Sequence, residues 1–148
     1  TSLSRRSMCV RTELGIPVIT DVHEPHQCKL MADCVDILQI PAFLCRQTDL
    51  IIAAAETGLV LHIKKGQFCH ADALHKTVQK AATAGNELCI LCERGTFFGY
   101  QDIVVDPRNF ERLKSDKNLV SMDITHCLQQ PAQKSSDGVV KSGGERYL

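Results

Sequence analysis

Cationic side chains stand directly after several apolar runs of this sequence. Lys64 and Lys65 follow one run, Arg94 follows a second, and Arg46 lies shortly after a third. An arginine holds a carboxylate or phosphate with two parallel N–H groups, whereas a lysine attracts it as a point charge. The chain has 17 basic and 17 acidic residues, so this excess of cations is local. It predicts a binding site for phosphate or carboxylate groups.

Other polar residues also lie at or just after the ends of apolar runs. Asp21 and Asp123 could accept hydrogen bonds from sugar hydroxyls or pair with the cations, and His126 could ligate a metal or act as an acid or base. Ser142, with the glycines 143 and 144, could offer a hydroxyl and backbone N–H groups to a second phosphate. The sequence has neither a G-x-G-x-x-G nor a P-loop motif. Two small phosphorylated substrates therefore fit this set better than a nucleotide does.

The segments that carry these residues alternate between two periodicities. Near-continuous apolar runs predict strands covered on both faces, and the segments between them have helical spacing and stop at glycines. The predicted strands are 17–21, 35–40, 59–64, 88–92 and 119–124, and the predicted helices are 27–34, 47–56, 70–84 and 109–114. This order indicates an α/β fold with a parallel sheet. Because the carboxyl ends of parallel strands share one edge, the polar residues should meet there.

A simpler explanation is that loops between strands and helices are polar because they meet water. It does not account for Lys64, which continues the alternation of Val60 and His62 and so should face the interior of a barrel. It also does not account for Arg94, which follows an apolar strand directly. Charges are rarely buried without a partner or a ligand, so these two residues favour a functional site.

Composition excludes several other classes of protein. A net charge of zero argues against nucleic-acid binding by bulk electrostatics, 44% hydrophobic residues argue against disorder, and no apolar run is long enough to cross a membrane. The eight cysteines lie mostly in apolar runs, which predicts free thiols in a reducing, cytoplasmic protein. The Ser/Arg-rich segment 1–7 has the bias of a transit peptide, but it is short and lacks an initiator Met, so a clipped start is expected.

Two cysteine motifs suggest metal or redox sites. Cys89 and Cys92 have the spacing of a zinc or dithiol motif, but residues i and i+3 of a strand point to opposite faces, which favours simple packing. His23, His26 and Cys28 offer zinc donors without a fourth ligand close in sequence. Residues 133–144, rich in Ser, Gly and Lys, predict a long flexible loop of the kind that often forms a lid.

Six motifs together resemble the 3-deoxy-8-phosphooctulonate synthase family, most closely its plant-type members. The resemblance extends from about residue 14 to residue 146 and does not fit the sister family of heptulosonate 7-phosphate synthases. The motifs are Ile-Thr-Asp-Val-His-Glu at 19–24, Gln-Ile-Pro-Ala-Phe-Leu-Cys-Arg-Gln-Thr-Asp-Leu at 39–50, Lys-Lys-Gly-Gln-Phe at 64–68, Cys-Glu-Arg-Gly-Thr at 92–96 with Phe-Gly-Tyr at 98–100, Asp-Ile-Thr-His at 123–126 and Ser-Gly-Gly at 142–144.

The resemblance implies a (β/α)8 TIM barrel that condenses phosphoenolpyruvate with D-arabinose 5-phosphate and water and releases inorganic phosphate. It implies His126, Lys64 and Asp21 as catalytic residues, with His126 also ligating a divalent ion in metal-dependent members. It implies a set of substrate-binding residues, in which Ser142 belongs to a loop that closes over the arabinose phosphate: Ala42, Phe43, Arg46, Lys64, Gln67, Arg94, Gln129 and Ser142.

The sequence departs from the family pattern in the segments that are missing and at one residue. The segments for the metal-selecting residue and the sugar phosphate are missing, and the five predicted strands would correspond to strands three to seven of eight. His62 stands where the family pattern leads us to expect Asn. We divide the chain into an unaligned segment, 1–13, and a partial barrel domain, 14–148.

Three expectations follow from this partial match. The polypeptide should have little or no activity alone, or it should be a non-catalytic remnant that binds phosphosugars or anions. The cofactor is either none or one divalent metal ion, and the sequence leaves this open. The full-length protein is expected to form a homo-oligomer, without nucleic-acid or membrane partners.

Overall fold

Five short parallel strands alternate with helices along the part of the chain that the computed structural model describes, residues 2–97 and 102–129. The elements are α1 (Ser2–Leu14), β1 (Ile19–Asp21), α2 (Pro25–Ala32), β2 (Ile37–Ile40), α3 (Thr48–Ala55), β3 (Val60–Lys64), α4 (Ala73–Thr83), β4 (Cys89–Glu93), α5 (Arg108–Leu113) and β5 (Asn118–Met122), with 3₁₀ turns at Ala42–Leu44 and His126–Leu128.

The strands form one sheet in the order β1-β2-β3-β4-β5, and every neighbouring pair is parallel. Sequential parallel strands, each joined to the next by a segment that contains a helix, are the repeating unit of a TIM barrel. The predicted α/β class is therefore confirmed, and all five predicted strands are present. Their order places every carboxyl end at the same edge of the sheet.

The sheet face that packs against the helices forms the hydrophobic core. Alternate strand residues such as Leu38, Leu61 and Leu91 are fully buried there, against Leu50 of α3 and Leu74 of α4. Because neighbouring strand residues point to opposite faces, the residues between them lie on the second face. These include Gln39, His62, Lys64 and Ser121.

This second face corrects one expectation. The apolar runs predicted burial on both faces of the strands, but in β2 and β3 buried residues alternate with half-buried ones. The half-buried members of β3 are Val60, His62 and Lys64, which share the second face as their alternation predicts. Within the described residues, that second face is not fully covered.

Several element boundaries differ from the sequence expectation by one to three residues, and one helix was not expected. Strand β1 begins at Ile19 rather than at residue 17, where a proline has no N–H to give to a sheet. Helix α1 extends over Ser2–Leu14, a segment for which the sequence predicted no element. The division of the chain at residue 13 stays a prediction.

Gly95, directly after Arg94, gives a testable prediction about the turn that leaves β4. Its φ is +86°, and a Cβ there would lie 2.2 Å from Cγ2 of Ile103. We expect Gly95→Ala to cost about 1–2 kcal/mol for the left-handed backbone and about 1–3 kcal/mol more for the overlap. Gly85→Ala is the matched control, because Gly85 has the same φ of +86° with no atom within 4 Å of such a Cβ. Urea unfolding measures both, and equal destabilisation would contradict the account.

Candidate active site

The carboxyl edge of the sheet brings together side chains from β3, β4 and β5. Lys64 is the last residue of β3, Arg94 follows β4, and Asp123 and His126 follow β5. Strand β3 lies next to β4, and β4 lies next to β5, so residues that are about sixty positions apart in sequence come into contact. The predicted convergence of polar residues at one edge is therefore observed for this group.

Asp123 is the centre of the first cluster. Its Oδ2 lies 2.5 Å from Nζ of Lys64 and 2.8 Å from Nδ1 of His126, and its Oδ1 accepts the backbone N–H groups of Thr125 and His126. Burial raises the pKa of the Asp123 carboxyl, but the hydrogen bonds from Lys64 and His126 outweigh it and hold that pKa well below its usual range. Asp123 is therefore an ionised acceptor that fixes both neighbours.

His126 has one ring nitrogen committed and one available. A carboxylate only accepts hydrogen bonds, so the Nδ1–H of His126 donates to Asp123. Nζ of Lys64 lies 3.2 Å from the same ring nitrogen, and it also uses Asp123 as its acceptor. The Nε2 of His126 then carries a lone pair on a side chain that is 43% exposed. It can take a proton or ligate a metal ion.

Arg94 is the second component of the site. Arg94 is only 4% exposed. Its Nη2 donates a hydrogen bond to Oε1 of Gln129 across 3.3 Å. The Nε and Nη1 of Arg94 are also buried, and neither donates to a group in the described part of the chain. Burial lowers the pKa of Arg94, but a guanidinium stays charged in proteins. A buried cation with unused donors is suited to a carboxylate or phosphate.

Gln67 belongs to the loop that follows β3, next to the loop that carries Arg94. It is 8% exposed, and its Oε1 is buried without a hydrogen-bond partner within residues 2–97 and 102–129. The two loops are joined by their backbones, because Phe97 N–H donates to the Gln67 carbonyl across 2.9 Å. Arg94 and Gln67 thus leave side-chain polar atoms unsatisfied in adjacent loops.

Two of the four cations of the predicted cluster take other places. Lys65 is fully buried and directs its ammonium at loop carbonyls and Glu93, because residues 64 and 65 point to opposite sides of the chain. Arg46 is exposed after the 3₁₀ turn Ala42–Leu44. In the same turn Ala42 is buried and Phe43 is 71% exposed.

Asp21 lies in a second polar cluster on the second face of the sheet, the face that does not pack against the helices. Its carboxylate accepts a hydrogen bond from Nε2 of Gln39, so Oε1 of Gln39 must face His62, whose Nδ1 is 2.9 Å away. His62 then donates from Nδ1 and accepts at Nε2 from the hydroxyl of Ser121, at 2.8 Å. Burial and the charge of Lys64 lower the pKa of His62, which favours this neutral form.

Sequence reasoning did not identify this second cluster, although it contained one signal for it. The alternation along β3 predicts that His62 shares a face with Lys64, but its links to Gln39 and Ser121 depend on the side-by-side register of strands that are distant in sequence. The structure therefore adds Gln39, His62 and Ser121 to the polar residues around the site.

The described residues do not form a complete metal centre. Among them no group of three or more His, Cys, Asp and Glu side chains is placed to hold a metal ion, and His126 offers a single free donor. Cys89 packs in the hydrophobic core, Cys92 is also buried, and all eight cysteines are free. These residues therefore do not by themselves fit the implied divalent ion.

Ser142 and its loop lie outside the described residues. Across residues 2–97 and 102–129, no helix combines the length and apolar character that a membrane crossing requires.

Comparison with known proteins identifies the family. The model of the DAHP synthetase I family matches residues 5–144. The chain is 53% identical over 140 residues to 2-dehydro-3-deoxyphosphooctonate aldolase 1 of Arabidopsis thaliana. These 140 residues make up 94% of this chain and 48% of the relative. The corresponding enzyme of Pisum sativum is also 53% identical, with the same coverage. That of Magnetococcus marinus is 50% identical over 137 residues, covering 93% of this chain and 46% of the relative.

These relatives confirm the resemblance inferred from the motifs, since their name is another name for 3-deoxy-8-phosphooctulonate synthase. The chain spans about half the length of the curated relatives it matches. Since the family model covers nearly all of the sequence, this chain belongs to the DAHP synthetase I family.

Proposed function

We propose that this chain supplies the phosphoenolpyruvate-binding part of a synthase that joins phosphoenolpyruvate to D-arabinose 5-phosphate. The products would be 3-deoxy-D-manno-octulosonate 8-phosphate and inorganic phosphate. The observation that carries the proposal is Arg94, whose buried guanidinium has two nitrogens without an acceptor in the described part of the chain. The names of the relatives support the choice of substrates.

The residues at the carboxyl edge suit the charge of phosphoenolpyruvate, which has a phosphate and a carboxylate on adjacent positions. Arg94 and Lys64 provide positive charge. Gln67 lies in the loop after β3, and the Ala42 carbonyl of the 3₁₀ turn lies beside Gly66 of that loop. Holding the enolpyruvate in this way orients its C3 and offsets its charge, which are the two main contributions expected of such a site.

The proposed reaction balances without a redox step. C3 of the enolpyruvate forms a bond to the aldehyde carbon of the sugar, and the aldehyde oxygen takes up a proton. Water adds to C2 and gives up one proton, which balances the proton taken up by the aldehyde oxygen. The C2–O bond to phosphate then breaks, phosphate leaves with the electron pair and takes the proton of the new C2 hydroxyl, and C2 becomes a carbonyl. His126 can hold a proton at Nε2 beside this site, and Asp21 is a proposed acceptor for a sugar hydroxyl.

The alternative function is an anion-binding remnant without catalysis. It is favoured by the place of Asp21, the proposed sugar contact, which belongs to a different hydrogen-bonded cluster from Lys64, Asp123 and His126. A remnant would bind phosphoenolpyruvate saturably and would not turn it over. We also propose, from the family, a cytoplasmic protein that assembles as a homo-oligomer.

A chimera separates these two functions. We expect the Arabidopsis relative, with its matching 140 residues replaced by those of this chain, to release phosphate when both substrates are present, whereas the 148 residues alone should release little. Phosphate release by the chimera is the measurement, and its Arg94→Ala variant is the control that should be inactive. A folded chimera that binds phosphoenolpyruvate without turnover would refute the synthase proposal and favour the remnant.

A further inference from the structure

A buried ion pair lies directly behind the anion-binding residues. Lys65 and Glu93 both have fully buried side chains, and Nζ of Lys65 is 3.3 Å from Oε1 of Glu93. Burying two charges is costly even when they pair, and a hydrophobic pair of similar volume is often at least as stable. A contribution to stability alone therefore does not explain this pair.

Lys65 connects two loops through its ammonium group. Its Nζ donates to the carbonyl of Gly66 at 3.3 Å, in the loop after β3. It also donates to the Gly95 carbonyl and the Thr96 hydroxyl, both at 2.9 Å, in the loop after β4. A single side chain thus joins the loop that carries Gln67 to the loop that carries Arg94.

Glu93 holds the backbone of the loop after β4 at Arg94, the residue proposed to bind the anion. Its Oε1 accepts the backbone N–H of Arg94 at 2.8 Å and that of Gly95 at 2.6 Å. Hydrogen bonds from two consecutive amides to one carboxylate oxygen set the direction in which the chain leaves β4. The direction of the Arg94 side chain depends on that backbone.

We propose that Lys65 and Glu93 are positioning residues that set the spacing between Gln67 and Arg94 and so preorganise the anion site. This inference rests on the proposed function, because it concerns the same site. Neither side chain is expected to touch the ligand, since loop oxygens and Glu93 occupy the Lys65 ammonium and the Glu93 carboxylate would repel an anion. Their effect on affinity comes from loop geometry that the ligand would otherwise have to order on binding.

The test compares stability with affinity in the full chain. Lys65→Met leaves the Glu93 carboxylate buried without its cation, so we expect a large loss of stability together with weaker phosphoenolpyruvate binding. In the double variant Lys65→Met/Glu93→Gln the uncompensated charge is gone, and the glutamine oxygen can still accept the two amides. We expect the double variant to recover most of the stability in urea unfolding while calorimetry still shows at least about tenfold weaker binding.

The control is an ion pair of the same types away from the site. Lys117 and Glu87 are joined at 2.9 Å, with side chains 67% and 59% exposed. Lys117→Met and Lys117→Met/Glu87→Gln should change neither stability nor affinity appreciably. A double variant at Lys65 and Glu93 that regains affinity along with stability would show a purely structural pair and overturn the proposal.

Inorganic phosphate serves as a second probe, so that the two proposals fail separately. A parent chain that binds phosphate but not phosphoenolpyruvate refutes the proposed function, and the phosphate affinities of the variants then decide the role of the pair. A parent chain that binds neither probe overturns both. Unchanged phosphate and phosphoenolpyruvate affinities in Lys65→Met would also contradict the positioning role.

Discussion

Replacing Arg94 with Ala is expected to weaken phosphoenolpyruvate binding by about 100-fold or more. Removing one partner of a buried, hydrogen-bonded charge pair costs about 2–5 kcal/mol of binding free energy, and about 1.4 kcal/mol corresponds to a tenfold change. Arg94 is 4% exposed and has two nitrogens without a described acceptor. Water cannot easily replace it, because the site around the guanidinium is buried.

Arg94→Lys tests the geometry of this interaction as well as its charge. A lysine keeps the positive charge but has one compact ammonium in place of a planar group with several fixed donors. We expect an affinity between those of the parent and of Arg94→Ala. Calorimetric titration with phosphoenolpyruvate measures all three proteins.

Arg108→Ala is the matched control for Arg94. The Arg108 side chain is 78% exposed and already pairs with Asp106 at 2.7 Å. Its removal should leave the affinity for phosphoenolpyruvate unchanged. If Arg94→Ala bound phosphoenolpyruvate as tightly as the parent does, the proposed anion site would be wrong.

Replacing Asp123 with Asn is expected to give a large loss of stability at neutral pH. Asp123 and Lys64 have side chains only 10% and 12% exposed, and removing one member of a buried pair costs about 3–5 kcal/mol because the other charge is left uncompensated. The substitution also removes the carboxylate that orients His126. The loss should therefore appear in stability and in the tautomer of His126.

The stability difference between the parent and Asp123→Asn should depend on pH. The pKa of Asp123 is held below its usual value in the folded protein, whereas in the unfolded chain it is about 3.9. The contribution of the carboxylate is thus fully present above about pH 4 and is lost as the pH falls below that value towards the folded pKa. Urea unfolding midpoints from neutral to acidic pH should converge for the two proteins.

Asp106→Asn is the control for this pH effect. Arg108 lowers the pKa of Asp106 to about 2, but this pair is open to solvent, where ion pairs contribute little. We expect a much smaller change in stability than for Asp123→Asn. A stability difference for Asp123→Asn that stays constant from neutral to acidic pH would contradict the assigned Lys64–Asp123 interaction.

The strands could be predicted from sequence because their signals are local. The apolar runs around Leu38, Leu61 and Leu91 are long enough to indicate strands, and the glycines at 58 and 85 end the helices before two of them. Helix α1 escaped prediction because its sequence is mostly polar and has few apolar residues that would mark a buried helix. Full burial of both sheet faces was predicted from the apolar runs and is not observed in the described residues.

The site was predictable where a residue's place in its strand decides its position. Lys64 and His126 could be assigned to the carboxyl edge in this way, and the structure places them in contact through Asp123. The same alternation places Lys65 on the opposite side of the chain from Lys64. Its contacts with the Gly95 carbonyl and Glu93 could not be predicted, because they depend on how the loop after β4 packs against it.

The structure of this chain with bound phosphoenolpyruvate would test the central claim most directly. The account predicts a carboxylate or phosphate oxygen within hydrogen-bonding distance of Nε or Nη1 of Arg94, with the ligand also in reach of Lys64. Phosphoenolpyruvate bound away from the carboxyl edge of the sheet, with the Arg94 guanidinium untouched, would contradict it.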